Sequence, residues 1–264
     1  MYQSLTYLQV ALAGALVLVK GALSAVLQLR LERQLAIAAV RMVVQLLLVG
    51  LVLRFVFAHS SWLLVAGLVV IMSGLATSAA VQRPDRVYTG MWWDGLMSVV
   101  IGGWTMGLFA VFVVLRVHPW YQPQTIIPLM GMILGNTLTG ISLGINHFTD
   151  SIVGERDQIE TMLALGASRA EAARPSLSKA IRTGVIPTIN GMMVAGIVSL
   201  PGMMTGQLLS GIDPVEAVKY QIVVMFLISS GASLASVAAA LLVYRRVFSA
   251  SHQLQSWILR ERGK

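Results

Sequence analysis

The chain has 264 residues, 56% of them hydrophobic and only 11% charged, with a mean hydropathy of +0.78. Soluble domains carry about 25% charged residues, so composition excludes a water-soluble globular protein and indicates an integral membrane protein. The net charge of +8 does not point to nucleic acid, because the basic residues crowd the ends of apolar runs, as cytoplasmic loops of membrane proteins require.

No cysteine is present, which removes disulfides, thiolate metal sites and cysteine nucleophiles together. Apolar runs recur throughout, and no stretch between them is large enough for an independent core, so residues 1–264 read as a single transmembrane domain. The first run, 5–27, has Lys20 as its only charge and no basic residue before it, so it reads as a retained span and not a signal peptide. A basic connection with Arg30 and Arg33 leads to the second span, 36–57, and then to the third, 62–80; both supply the ~20 residues that a hydrocarbon core demands. Arg83, Asp85 and Arg86 mark a loop, and Trp92 and Trp93 an interface anchor, before the fourth span at 94–115. The fifth span, 125–145, precedes a polar stretch with a cytoplasmic segment at 150–182. The sixth span, 185–209, contains Pro201-Gly202, a helix break suited to a gate or a re-entrant turn. Asp213-Pro214-x-Glu216 is a helix start, with Asp213 as cap, Pro214 in the first turn and Glu216 able to reach back, so the seventh span runs 215–244.

Placing the N-terminus outside and the C-terminus inside leaves only Arg54, Arg116 and Lys219 on the outer side and Lys20 within a span. The remaining basic residues, among them Lys264, then fall on the inner side, which favours this orientation. The expected fold is therefore an all-α integral membrane protein of about seven transmembrane helices, N-out and C-in.

Polar groups inside the runs are the candidates for a translocation pathway. Gln34, Arg41 and Gln45 share one face of the second helix at about 100° per residue, with Arg30 flanking. Such a stripe either lines a vestibule, or lets Arg41 snorkel to headgroups while Gln45 bonds a neighbouring helix. Asp94, at the inner edge of the fourth span, either attracts a cation or pairs with a basic neighbour. In the fifth span, Gly131 with Gly135 and Gly140 with Gly144 form two close-packing pairs, and Asn136 needs a partner once buried. The sixth span holds Asn190, Met192, Met193, Met203 and Met204. In an unbroken helix Met192 and Met203 share a face, as do Met193 and Met204. Thioethers are soft donors, but methionine also fills gaps, and the four histidines His59, His118, His147 and His252 are scattered, so no tight metal site is indicated. No Gly-Lys-Ser or Gly-Lys-Thr loop, no Ser-His-Asp spacing and no His-Glu-x-x-His occur. This chain is not expected to be an enzyme or to hold a cofactor, and any ATP is hydrolysed by another chain.

The cytoplasmic stretch Glu160-Thr-Met-Leu-Ala-Leu-Gly-Ala-Ser168 resembles the coupling segment of ATP-binding-cassette (ABC) permeases, in which an acid precedes a glycine by six residues. Small residues Ala164, Gly166, Ala167 and Ser168 allow the backbone to approach a partner's groove closely; a cytoplasmic helix ending at a glycine stop accounts for Gly166 equally well. Three longer blocks are more specific. These are the run from Pro128 through Gly144, Ile186-Pro-Thr-Ile-Asn-Gly-Met-Met193, and Ser199-Leu-Pro-Gly-Met-Met-Thr-Gly206. Together with Arg41-x-x-x-Gln45 and Tyr220 through Leu227, they resemble the FetB-like permease family across nearly the whole chain. Unlike the general importer pattern, there is no Ile-x-Leu-Pro about nine residues past Gly166; the first Ile-Pro is Ile186-Pro187.

The resemblance implies a permease subunit in the bacterial inner membrane that pairs with a separate ABC ATP-binding subunit, which holds the ATP and magnesium. Bacterial members are linked to iron export and plant relatives to aluminium tolerance. A single seven-span chain gives half of a symmetric pathway, so two permeases with two ATPases are expected, surrounded by membrane lipids and working by alternating access. The rival reading, an ATP-independent channel or ion-coupled carrier, calls for intramembrane acids or an inverted repeat, neither of which is evident.

Overall fold

The computed structural model describes residues 6–29, 31–249, 251 and 253–263. Leu5, Arg30, His252 and Lys264, which figure in the sequence reading, lie outside the described residues. The chain is helical almost throughout and divides into two compact units, 1–60 with 209–211, and 61–208 with 212–264.

The first unit is a helical pair, α1 (Tyr7–Val26) and α2 (Glu32–His59). Thr6 starts α1 with a capping box, its hydroxyl accepting from the Gln9 amide while the Gln9 side chain accepts from the Thr6 amide. The connection is tied by Ser24, whose hydroxyl donates to Glu32 at 2.9 Å and accepts from the Leu31 amide at 3.1 Å. Apart from the Gln34, Arg41 and Gln45 stripe and the residues near its ends, α2 is apolar on every side, as is α1 apart from Lys20 and the residues near its ends, and both are almost entirely exposed. That is the pattern of a span whose solvent is lipid rather than of a helix with one buried stripe.

In the second unit α3 (Trp62–Gln82) is followed by a two-residue strand β1 (Arg86–Val87) and a continuous helical run from Met91 to Val114. That run comprises α4 (Met91–Val99), a π turn (Val100–Trp104), α5 (Thr105–Phe109) and a second π turn (Ala110–Val114). Next come α6 (Pro123–Gly154), α7 (Arg156–Ala164), α8 (Arg169–Val194), α9 (Gly202–Leu209) and α10 (Pro214–Val247), ending in a strand β2 (Arg260–Glu261) antiparallel to β1. The centre is α6, packed against α3, α8 and α10. Its Leu129, Ile133, Ile141, Ile145, Phe148 and Ile152 are fully buried. Two hydroxyls inside α3 are satisfied within the helix, Ser73 donating to the Val69 carbonyl at 2.8 Å and Thr77 to that of Ser73 at 2.9 Å. Membrane depth offers no water to do this.

Small residues set the closest approaches. A Cβ on Gly184 of α8 would lie 2.7 Å from the Gly140 carbonyl of α6 and 2.7 Å from the Ser236 hydroxyl of α10, so three backbones meet at one point. Gly102, in the first π turn, abuts the Gly231 carbonyl of α10 in the same way. Of the two glycine pairs expected in α6, Gly140 is at a tight contact and Gly144 lies near the Ala180 and Ser236 carbonyls. A Cβ on Gly131 would touch only Met72, and one on Gly135 nothing within 4 Å.

Six helices among the described residues are long and apolar enough to cross a membrane: Leu8–Val26, Glu32–His59, Trp62–Gln82, Met91–Val114, Pro123–Gly154 and Pro214–Val247. The expected span 185–209 is not one of them. It falls on the second half of α8, a turn at 195–201 and the short α9. The break comes earlier than Pro201-Gly202 suggested, because the helix ends at Val194 and the chain reverses through Gly196 at φ +83°, a left-handed conformation that suits glycine. Arg169, Glu171, Arg174, Lys179 and Arg182 occupy α8 ahead of the expected span, in the stretch read as cytoplasmic.

Candidate functional site

The ends of the second unit differ in chemistry. At one end the loop before α4, the foot of α6, the start of α8 and the C-terminal segment are laced together by polar contacts. Asp94 at the start of α4, 4% exposed, accepts from Arg246 of α10 in a two-pronged pair, Nη2 to Oδ1 at 3.1 Å and Nε to Oδ2 at 3.2 Å. Arg86 pairs with Asp150 at 3.2 Å, the Asp85 amide donates to Asn146 at 2.8 Å, and Arg262 donates to the Pro84 carbonyl at 3.1 Å. Arg169 donates to the Ser249 carbonyl at 3.0 Å. Burial, and then the charge of Asp94, push the Tyr88 phenol well above its usual range. Asp94 is thus engaged by an arginine drawn from the far end of the sequence, which no local pattern revealed.

From this end projects α7. Glu160 is on its exposed face, paired with Arg156 at 2.7 Å, which raises the arginine above its ordinary value. Ala164 is the last helical residue, and the helix closes in a Schellman motif. The Gly166 amide donates to the Leu163 carbonyl at 3.1 Å and the Ala167 amide to the Met162 carbonyl at 3.0 Å, with Gly166 at φ +94°. Leu165, at the tip, is 84% exposed. Ser168 then caps α8, with its hydroxyl accepting from the Glu171 amide at 3.3 Å while its own amide donates to Glu171 Oε2 at 2.8 Å. The Ser168 hydroxyl also donates to Glu171 Oε2 at 2.7 Å, and this bond first, then that from the Ser168 amide, holds the Glu171 carboxyl below its ordinary range. The residues read as one small-residue segment therefore divide into a helix stop and a helix start. The signal for the latter, Ser-x-x-Glu, was present but unused.

At the opposite end the chain reversal at 195–201 organises a second feature. A half-open cavity of about 430 Å3 lies between the end of α8, the turn, α9 and α10. Met192 and Met204 both line it. Met203 turns instead toward the core formed by Leu129, Ile133 and Val224, and Met193 is 71% exposed. With the helix broken, the pairings of Met192 with Met203 and of Met193 with Met204 that an unbroken helix would give do not form. Two further residues, Gln221 and Met225, line the same cavity from successive turns of α10. Gln221 is 7% exposed, and among the described residues its Oε1 has no hydrogen-bond partner. An amide one turn before a methionine inside an apolar run was the available clue. Asp213 caps α10 as expected, accepting from the amides of Val215 at 2.9 Å and Glu216 at 3.2 Å, whereas Glu216 turns to Lys219 at 2.6 Å instead of reaching back.

The remaining candidates lie apart. Asn136, half-buried in α6, donates to the Met132 carbonyl of its own helix at 2.9 Å. Asn190 is exposed on α8, and Arg41 and Gln45 are exposed on α2 in the first unit. Among the described residues no three of histidine, cysteine, aspartate and glutamate come together in a way that would hold a metal ion.

Six apolar helices among the described residues, one end rich in arginine and a buried bundle with close glycine contacts define a multi-pass membrane protein. The chain belongs to the uncharacterised protein family UPF0014, whose model matches residues 7–248. It is 39% identical to a UPF0014 membrane protein of Synechocystis over 89% of this chain and 92% of that one. It is 33% identical to the Escherichia coli "Probable iron export permease protein FetB" over 95% of both chains. It is 32% identical to the Arabidopsis thaliana "Protein ALUMINUM SENSITIVE 3" over 94% of this chain and 89% of that one. No solved structure matches significantly.

Proposed function

We propose that the chain is the permease subunit of an ABC transporter that exports iron or a related metal ion across the bacterial inner membrane. The observation that carries this reading is the end-to-end similarity to FetB, 33% identity over 95% of the chain. The absence of a nucleotide-binding loop from the sequence is in keeping with ATP and magnesium being held by a separate ATP-binding subunit, and with a transport subunit that performs no covalent chemistry itself. Gathering of Arg83, Arg86, Arg156, Arg169, Arg246 and Arg262 at one end supports a C-in orientation, with α8, the turn and α9 together forming the seventh crossing. The exposed α7–α8 turn then faces the cytoplasm, where Glu160, Ala164, Gly166, Ala167 and Ser168 offer a rigid protrusion for the ATPase. Two permease chains with two ATPases complete the pathway, and closure of the ATPases drives alternating access.

The test is ATP hydrolysis by the complex reconstituted in vesicles with its ATP-binding partner, with and without ferrous iron, alongside metal movement. Iron-stimulated hydrolysis with iron accumulating on the side away from the ATPase is the expected result. A coupled ATPase indifferent to iron discards the substrate, and the lack of any stable ATPase complex hands the case to a channel or carrier. Gly166→Trp should abolish transport while the protein still inserts.

A further inference from the structure

The cavity at the chain reversal has a donor set that the permease reading does not use. Met192 reaches it from α8, Met204 from α9, and Gln221 and Met225 from one face of α10, so three elements converge on one volume. The rest of the lining, Leu200, Pro201, Val218 and Ile222 among it, is apolar. Within this lining the Gln221 carbonyl oxygen is buried and unpartnered among the described residues. Buried polar atoms are nearly always satisfied, and leaving one unmet costs about 1–3 kcal/mol. The cavity is therefore built around something that accepts an oxygen lone pair and tolerates thioethers.

We infer that the cavity bounded by Met192, Met204, Gln221 and Met225 is a binding site for a soft monovalent cation of the copper(I) or silver(I) class. Thioether sulfur is a soft donor that selects such ions. All the donors are neutral, which suits a charge of one. The cost of desolvating an ion grows with the square of its charge, and no carboxylate lines the cavity to offset a dication. Ferrous iron and zinc, which favour imidazole, carboxylate or thiolate, find none of these here. The chain has no cysteine to compete for such an ion. This binding site goes beyond the permease reading and is independent of the ion that the pathway carries; it stands on the isolated chain.

The experiment is titration of the purified chain, labelled with 13C at the methionine methyl groups and held in lipid nanodiscs, with silver(I) and, anaerobically, with ferrous iron. The methyl resonances of Met192, Met204 and Met225 should shift with one equivalent of silver, the other methionines and the iron titration leaving them unmoved. Met204→Leu and, separately, Met192→Leu at the more exposed position should each weaken binding about tenfold or more, and Gln221→Leu by a smaller factor. Unmoved resonances, or equal silver binding by the Met192→Leu, Met204→Leu, Met225→Leu triple variant, overturn the inference. Silver binding by a chain that forms no stable complex with an ATP-binding partner keeps this site and sinks the coupled permease. Iron-stimulated hydrolysis without silver binding does the reverse.

Discussion

The three-helix contact at Gly184 gives the sharpest test of the packing. In Gly184→Ala the new methyl would start 2.7 Å from the Gly140 carbonyl and 2.7 Å from the Ser236 hydroxyl, and 3.0 Å from the Ser236 Cβ. Ordinary contact begins at 3.4 Å, so α8 must withdraw by roughly half an ångström or more from two helices at once. α6 cannot yield by itself, because a Cβ on Gly140 would already sit 3.1 Å from the Ala232 carbonyl and 3.2 Å from that of Gly184. Overpacking of this kind costs about 1–3 kcal/mol, or roughly 2–12 °C in Tm for a chain of this size. Gly135→Ala is the control on α6, where nothing lies within 4 Å; alanine's helix preference should leave stability unchanged or raise it by about 0.5–1 kcal/mol. Thermal scans of both variants in nanodiscs, followed by tryptophan fluorescence at one scan rate, decide the matter. A Gly184→Ala Tm within about 1 °C of the parent, or an equal loss in both variants, would refute the argument, because only the first position has backbone in the way.

Removing the arginine of the Asp94–Arg246 pair leaves a carboxylate whose side chain is 6% exposed without its partner, although the arginine itself is 48% exposed. Arg246→Ala should therefore cost about 1–3 kcal/mol, below the range for fully buried pairs. Asp94→Asn in the same chain should recover much of it, and a double-mutant cycle showing no coupling would contradict the contact. Tyr88 has a raised folded-state value, so its contribution is complete below the ordinary tyrosine range near pH ~10 and fades as pH rises above it. The parent should thus lose more stability than Tyr88→Phe between about pH 9 and 11, and parallel curves would count against the buried phenol. Ser168→Ala should cost about 1 kcal/mol through loss of the α8 cap, seen as faster amide exchange in its first turn. Glu171, held low by the same serine, adds stability above the ordinary carboxylate range near ~4.3 that is lost as pH falls through its lowered value. In Ser168→Ala that acid dependence should shrink.

Much of this protein was legible because the relevant physics is local. Hydropathy summed over about twenty residues marks a span wherever it lies in the chain, and six of the seven runs correspond to helices of spanning length. The Asp213 cap, and a helix stop at Gly166, follow from neighbours within one turn. Only the tertiary structure decided what depends on distant segments or on a single backbone reversal. The partner of Asp94 lies 152 positions away in sequence, and the Gly140, Gly184 and Ser236 meeting requires three helices to be in register. The methionine spacing of the sixth run could not be read, because an eleven-residue spacing has meaning only in an unbroken helix. Once the chain turns at Gly196, Met204 and Met192 come to line one cavity, together with Gln221 and Met225 of the next helix. Periodicity along the chain places side chains on faces, and the turn, set by one glycine's backbone and by what α10 packs against, determines which faces meet.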